Sequence, residues 1–183
     1  MLRVIKISSK NKDLIKIRKL YECVFPENER GPLTTLLEDN FGCSEIFAFY
    51  DKEVFCGFIS LLNYKDICHI IYFAVDPVLQ GGGYGSQILN LLNDIKPHKR
   101  ILADVEVKTA IASNNMLRDK RKQFYLRNGF TTTKVAYDWQ DDSYEILIRG
   151  GLLSEQEFWG FWESICRVNK EFNFFIKTKR DVK

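Results

Sequence analysis

Residues 69–94 read HIIYFAVDPVLQGGGYGSQILNLLND and decide the fold predicted for the whole chain. The six apolar residues 70–75 are rich in β-branched and aromatic types and predict a buried strand. This strand ends at Asp76-Pro77, because proline has no N–H for a ladder. Apolar residues then recur at spacings of three and four from Ile88 to Ile95, which predicts an amphipathic helix that Pro97 stops. Between the strand and the helix lie four glycines in five positions.

The glycine-rich segment predicts an anion-binding loop. Glycine tolerates positive φ and has no side chain to hold a ligand away from the backbone amides. The unpaired N–H groups and the positive dipole end of the following helix favour a phosphate or pyrophosphate, and Ser86 adds a hydroxyl. The alternative is a turn used only for tight strand–helix packing, although a turn needs fewer glycines than Gly81, Gly82, Gly83 and Gly85.

Two common nucleotide-binding motifs fit this loop poorly. A Walker A loop ends in Gly-Lys followed by Ser or Thr, and no lysine stands here. The Rossmann fingerprint is a nearer match, but Gly81-x-Gly83-x-x-Ser86 lacks the third Gly or Ala. In addition, five residues separate Val75 from the first glycine, where that motif runs directly from the strand.

The order Gln80-x-x-Gly83-x-Gly85, after a strand and opening a helix, resembles the acyl-CoA loop of the GNAT superfamily of N-acetyltransferases. A second block, KQFYLRNGF at 122–130, is similar to the family's helix that ends Tyr-x-x-x-Gly-Phe. The two motifs occur in the family's order, at about its usual separation. The resemblance covers residues 2–149 and is sharpest over 69–130.

The resemblance implies an α/β fold with a mixed, mainly antiparallel central sheet flanked by helices. A V-shaped splay is expected between the strand at 68–75 and the strand at 100–107. It also implies acetyl-CoA as donor and a primary amine, on a small molecule or a peptide, as an acceptor that attacks directly in a ternary complex. The CoA-binding positions it indicates are Phe73, Ala74, Val75, Gln80, Gly81, Gly82, Gly83, Tyr84, Gly85, Ser86 and Asn115.

Acyl transfer to an amine needs a base for the amine proton and an acid for the departing thiolate. By the resemblance, Tyr125 is the general acid, and the alternative is a core tyrosine. His69 stands where some family members carry a catalytic glutamate, and its imidazole titrates near neutrality. Glu106, on the neighbouring strand, is an equal rival for the base. Glu29 is expected on the loop that covers the substrate mouth, where Glu27 and Glu29 would attract a cationic amine, and the alternative is a solvated surface charge.

One position departs from the family pattern. Many members place an asparagine seven residues before the helix tyrosine, but Arg118 stands there. Asn115, or Asn114 beside it, is expected to replace that asparagine. Arg118, Arg121 and Lys122 either meet the phosphates of CoA or an acidic substrate, or lie on a solvated helix face, and the second alternative is favoured.

Length and composition indicate one soluble domain of 183 residues with a net charge of +3. That charge is too small to indicate nucleic acid. No apolar run reaches the length of a membrane span, and no secretion signal is seen, so we expect a cytoplasmic protein. Five cysteines without C-x-x-C pairing predict neither disulfides nor a metal site. A monomer or a homodimer is expected.

The remaining elements are predicted around this centre. Residues 1–150 are assigned to the acyltransferase domain, with a short helix from Pro32 through Asn40. Residues 151–183 are assigned to a C-terminal helical extension packed on the same domain, begun by a capping box at Ser154 and Glu157. Its aromatic residues otherwise form a dimer contact or roof the substrate cleft.

Two other functions stay open at this point. The first is a non-catalytic acyl-CoA-binding regulator on the same fold. The second is a dinucleotide-binding oxidoreductase with Asp104 as the ribose partner, although Asp104 falls in the middle of a predicted strand.

Overall fold

The computed structural model describes residues 2–37, 42–109, 112, 114–140, 142–175 and 178–179. One sheet of eight strands runs through it in the order β1-β2-β3-β4-β5-β7-β6-β8. The strands are β1 Arg3–Ile7, β2 Ser44–Asp51, β3 Val54–Tyr64, β4 Ile67–Val75, β5 Arg100–Glu106, β6 Thr131–Trp139, β7 Asp142–Arg149 and β8 Thr178–Lys179. The helices are α1 Leu14–Val24, α2 Leu33–Leu37, α3 Tyr84–Ile95, α4 Asn115–Arg127 and α5 Glu155–Val168. The predicted mixed, mainly antiparallel sheet with flanking helices is confirmed.

The centre of the sheet opens between β4 and β5. These two strands pair in parallel from Ile67 opposite Arg100 to Ile70 opposite Ala103, and there the ladder stops. Beyond that point β4 pairs only with β3, and β5 pairs only with β7. Ile71 is the extra residue of a bulge in β4 at the same level, and bulges bend the strand that carries them. The predicted V-shaped splay is therefore confirmed.

Alternating side chains of the strands bury both faces of the sheet. On one face α3 and α4 cover a core that includes Phe49, Ile70 and Ile88. On the other face α1, α2, α5 and the 3-10 segment Lys170–Phe175 cover a second core. Burial of apolar area on both faces is the main stabilising contribution, at about 25 cal/mol per Å².

The chain's C-terminal part packs on the second face. Ser154 and Glu157 form the predicted capping box of α5. The helix buries one face, which consists of Phe158, Phe161, Trp162 and Ile165. No helix in the described ranges is both long and apolar enough to cross a membrane. The helix predicted through Asn40 is seen over Leu33–Leu37, and its last three predicted residues lie outside the described ones.

Candidate active site

A cavity of about 550 Å³ lies in the opening between β4 and β5. One wall is the free edge of β4 from Ile70 to Val75, and Gln80 stands at the glycine loop. The other walls come from β5, α4, the β6–β7 hairpin and the turn after α1. Acidic side chains predominate among its charged groups, namely Glu29, Asp104, Glu106 and Asp142, beside the basic Arg121.

The conformation of the glycine loop allows a ligand to approach its backbone amides. Gly81 and Gly83 have φ of 81° and 80°, in the left-handed region that favours glycine. Gly83 is the N-cap of α3, and the first intrahelical bond runs from Gln87 N to Gly83 O at 3.1 Å. The amides at 84–86 precede that bond, so they are available to an anion together with the helix dipole.

The neighbours of the loop have structural partners. Gly85 lies under the Phe124 ring, where an added Cβ would come within 3.1 Å of it, so close packing of α3 on α4 also requires glycine there. The Tyr84 hydroxyl donates to Asp51 at 2.9 Å. Gln80 Nε2 donates to the Val75 carbonyl at 3.3 Å.

Tyr125 lies in the cavity wall near the end of α4 and is 6% exposed. Its ring packs against Phe124 and Phe130, with centroids 5.3 and 5.1 Å away. Burial raises the pKa of its hydroxyl above the ordinary value, partly offset by the charge of Arg121. Tyrosine is protonated at neutral pH in any case, and the raised pKa makes this hydroxyl a weaker acid than usual, so proton transfer from it requires a strongly basic acceptor.

Glu106 and Glu29 face the same cavity from opposite sides. Glu106 forms an ion pair with Arg121, and only 10% of its side chain is exposed. Burial, and then the charge of Glu106, raise the pKa of Glu29 above its ordinary value of 4.5. Among the described residues Glu29 forms no ion pair.

His69 is fully buried and does not line the cavity. Its ring packs edge-on against Phe161 and Trp162 of α5, with centroids 5.7 and 5.4 Å away. Its Nε2 is 2.8 Å from Oδ1 of Asp104, which does line the cavity. His69 is therefore separated from the cavity by residues that line it, Asp104 and Trp162.

The two asparagines at the start of α4 have different surroundings. The Asn115 side chain bonds both backbone groups of Thr109, at 3.2 and 2.7 Å, whereas Asn114 lines the cavity. The favoured interpretation of Arg118 as a solvated residue is wrong. Its side chain is 7% exposed and bonds Asp142 at 2.7 Å, together with Asn114 and the Val107 carbonyl.

Four aromatic cavity residues were not expected from the sequence: Phe25, Tyr137, Trp139 and Tyr144. Trp162 and Phe175 also line the cavity, in agreement with the alternative that the C-terminal aromatic residues roof the cleft. Alternation along β6 and β7 places Tyr137 and Tyr144 on one face, but nothing local shows that this face is a cavity wall. In the described ranges no three His, Cys, Asp or Glu residues are grouped to hold a metal ion.

Comparison with known proteins identifies this architecture. Residues 42–132 match the model of the GNAT acetyltransferase domain. A GNAT-family protein from Bacteroides thetaiotaomicron shares the fold with a TM-score of 0.74 and 24% identity, over 90% of this chain and 96% of that one. No curated protein matches the sequence significantly.

More distant structures share the fold. An acetyltransferase from Bacillus subtilis in complex with CoA has a TM-score of 0.57 and 15% identity, covering 83% of this chain and all 100% of that one. Naa50 from Arabidopsis thaliana, in complex with the bisubstrate analogue CoA-Ac-MVNAL, has a TM-score of 0.57 and 18% identity, over 80% and 97%. The fold is that of the GNAT superfamily. The family predicted from the sequence is confirmed by the match of residues 42–132 to the model of the GNAT acetyltransferase domain.

Proposed function

We propose that the protein transfers the acetyl group of acetyl-CoA to a primary amine. The observation that carries this proposal is the parting of β4 and β5 at Ile70 and Ala103, with the glycine loop at the mouth of the gap. The gap exposes the backbone edge of β4 to an extended ligand, and the loop offers amides to that ligand's phosphates. The CoA and the CoA-Ac-MVNAL bound to two proteins of the same fold support the same donor and class of acceptor.

CoA would lie along β4 and the loop. The pyrophosphate would meet the amides from Gly81 to Ser86 at the start of α3, and pantetheine would pair with the free edge of β4 at 73–75. On that edge, N–H groups would polarise the thioester carbonyl. Because Asn114 lines the cavity and Asn115 does not, we assign the predicted asparagine contact to Asn114 instead.

Acetyl transfer would proceed by direct attack. The neutral amine nitrogen forms a bond to the thioester carbonyl carbon, and the carbon–sulfur bond breaks. Tyr125 would protonate the departing sulfur, and a carboxylate would take the proton of the amine. The products are the acetylated amine and the free thiol of CoA.

Glu106 is the base that the geometry favours, because it faces the cavity directly. We expect Glu106→Gln to lower kcat by roughly 10²–10⁴-fold, the usual contribution of a general base, and His69→Gln to lower it much less, because His69 would act by holding Asp104. A larger loss of kcat in His69→Gln than in Glu106→Gln would assign the proton to His69 and Asp104.

Ligand binding gives a test that does not depend on the acceptor. Acetyl-CoA at 100 times its Kd should stabilise the fold by about 2.7 kcal/mol, or about 5–10 °C in Tm. NAD and ATP at the same concentration should raise the Tm much less. Equal shifts with NAD would contradict a CoA site and favour the dinucleotide alternative.

A further inference from the structure

The carboxylates of the cavity wall mark the half of the cavity where the acceptor would lie. Among the described lining residues, four are carboxylates and one is basic, Arg121. Arg121 is paired with Glu106, Asp142 is paired with Arg118, and Asp104 lies 2.8 Å from Nε2 of His69. Glu29 has no ion pair among the described residues and attracts a cation, and no described lining cation is left unpaired to receive a carboxylate on the acceptor.

Aromatic rings form the apolar part of the same half. Phe25 and Tyr72 stand on one side, 4.9 Å apart between centroids, and Trp139 stands on the β6–β7 hairpin. Trp162 and Phe175 close the cavity from the C-terminal part, which lies outside the matched family domain. Rings of this kind bind apolar groups and also attract cations over their faces.

The loop that carries Glu29 is held in place. The Gly31 amide donates to the Tyr72 hydroxyl, which donates to the Glu29 carbonyl, both at 2.8 Å. The Tyr21 hydroxyl donates to the Gly31 carbonyl at 2.8 Å. A Cβ on Gly31 would lie 2.6 Å from the Phe175 ring, so the C-terminal segment packs directly on this loop. A fixed loop favours a compact ligand that fits the preformed cavity.

We infer that the acceptor is a small cationic amine with an apolar, preferably aromatic, body and no carboxylate. This inference rests on the proposed function, because it names the substrate class of the same cavity. Glu29 binds the ammonium group, Trp139, Trp162 and Phe175 contact the body, and the amine then loses its proton and attacks. Amino acids should bind poorly, since their α-carboxylate would face Glu29 with no unpaired cation among the described lining residues.

Phenethylamine and phenylalanine form a matched pair for the test, because they differ only in the carboxylate. Calorimetry on the CoA-saturated protein measures their binding, and thiol release from acetyl-CoA measures their turnover. We expect phenethylamine to bind at least ~100-fold more tightly, a difference of about 2.7 kcal/mol. Phenylalanine amide should fall between them, and hexylamine should bind more weakly than phenethylamine.

Comparable binding of phenylalanine, or preference for a free peptide N-terminus, would overturn the inference while acetyl transfer stands. Preferential binding of phenethylamine with no thiol release would support the inferred ligand class and contradict the proposed acetyl transfer.

Glu29→Gln tests the assigned contact. The charges facing Glu29 are Glu106 and Asp142, which repel it, and Arg121 and Arg118, which attract it. Because the pKa of Glu29 is raised, wild-type binding of phenethylamine should weaken as pH falls through a value above 4.5. Glu29→Gln should weaken binding about tenfold and remove that pH dependence. Glu27→Gln, on the same turn but outside the cavity wall, should change neither, and an unchanged Glu29→Gln profile would overturn the contact.

Discussion

Replacing Tyr125 with phenylalanine should lower kcat by roughly 10²–10⁴-fold, the usual contribution of general acid catalysis. The change keeps the ring that packs on Phe124 and Phe130 and removes only the hydroxyl. A tyrosine hydroxyl is protonated throughout the neutral range, so its proton is available to the thiolate. The Kd for acetyl-CoA should change little, because the loss concerns a proton transferred only in the transition state.

The Tyr125 prediction has a matched control. Tyr64→Phe removes a tyrosine hydroxyl outside the cavity wall and should leave both kcat and acetyl-CoA binding at wild-type values. Steady-state kinetics and calorimetry measure the two quantities separately. If Tyr125→Phe turns over at the wild-type rate, Tyr125 is a core residue and another proton donor must serve the thiolate.

Replacing Gly83 with valine should abolish the rise in Tm that acetyl-CoA produces. An added Cβ at Gly83 meets no protein atom within 4 Å, so the new side chain would project into open space beside the loop amides. That space is where the pyrophosphate is proposed to lie. The positive φ of 80° adds strain of about 1–2 kcal/mol to the variant.

Gly42→Val separates the two effects. Gly42 has a similar φ of 72° and equally open surroundings. It precedes β2 at the end of the sheet away from the loop, since Ser44 pairs with Leu62 and Leu62 with His69. We expect both variants to lose Tm without ligand, and only Gly83→Val to lose the acetyl-CoA shift. A full shift in Gly83→Val would place the phosphates elsewhere.

The sequence predicted the centre of the fold because its signals are local. Six apolar residues, Asp76-Pro77 and the glycines define β4, the loop and α3 without help from the rest of the chain. The splay followed from the family resemblance carried by Gln80, Gly83 and Gly85. β4 was seen from Ile67, slightly longer than the apolar run alone indicates.

The rest of the site depends on contacts between distant residues. His69 looked like a base by its position in β4, but α5, nearly a hundred residues further on, covers its ring. Arg118 looked exposed because no local pattern shows that Asp142 will meet it. Phe175 packs on Gly31, which is far from it in the sequence, and no periodicity predicts such a contact.

Amine-dependent cleavage of acetyl-CoA is the most direct test of the proposed acetyl transfer to an amine. The protein is incubated with acetyl-CoA and phenethylamine, the free thiol is followed in time, and the amine is examined by mass spectrometry. If the protein is an acetyltransferase, thiol release requires both the amine and the protein and is accompanied by an equal amount of acetylated amine. Saturable acetyl-CoA binding without thiol release from any amine, across a panel that includes amino acids and peptides, would contradict it and indicate a non-catalytic acyl-CoA-binding protein.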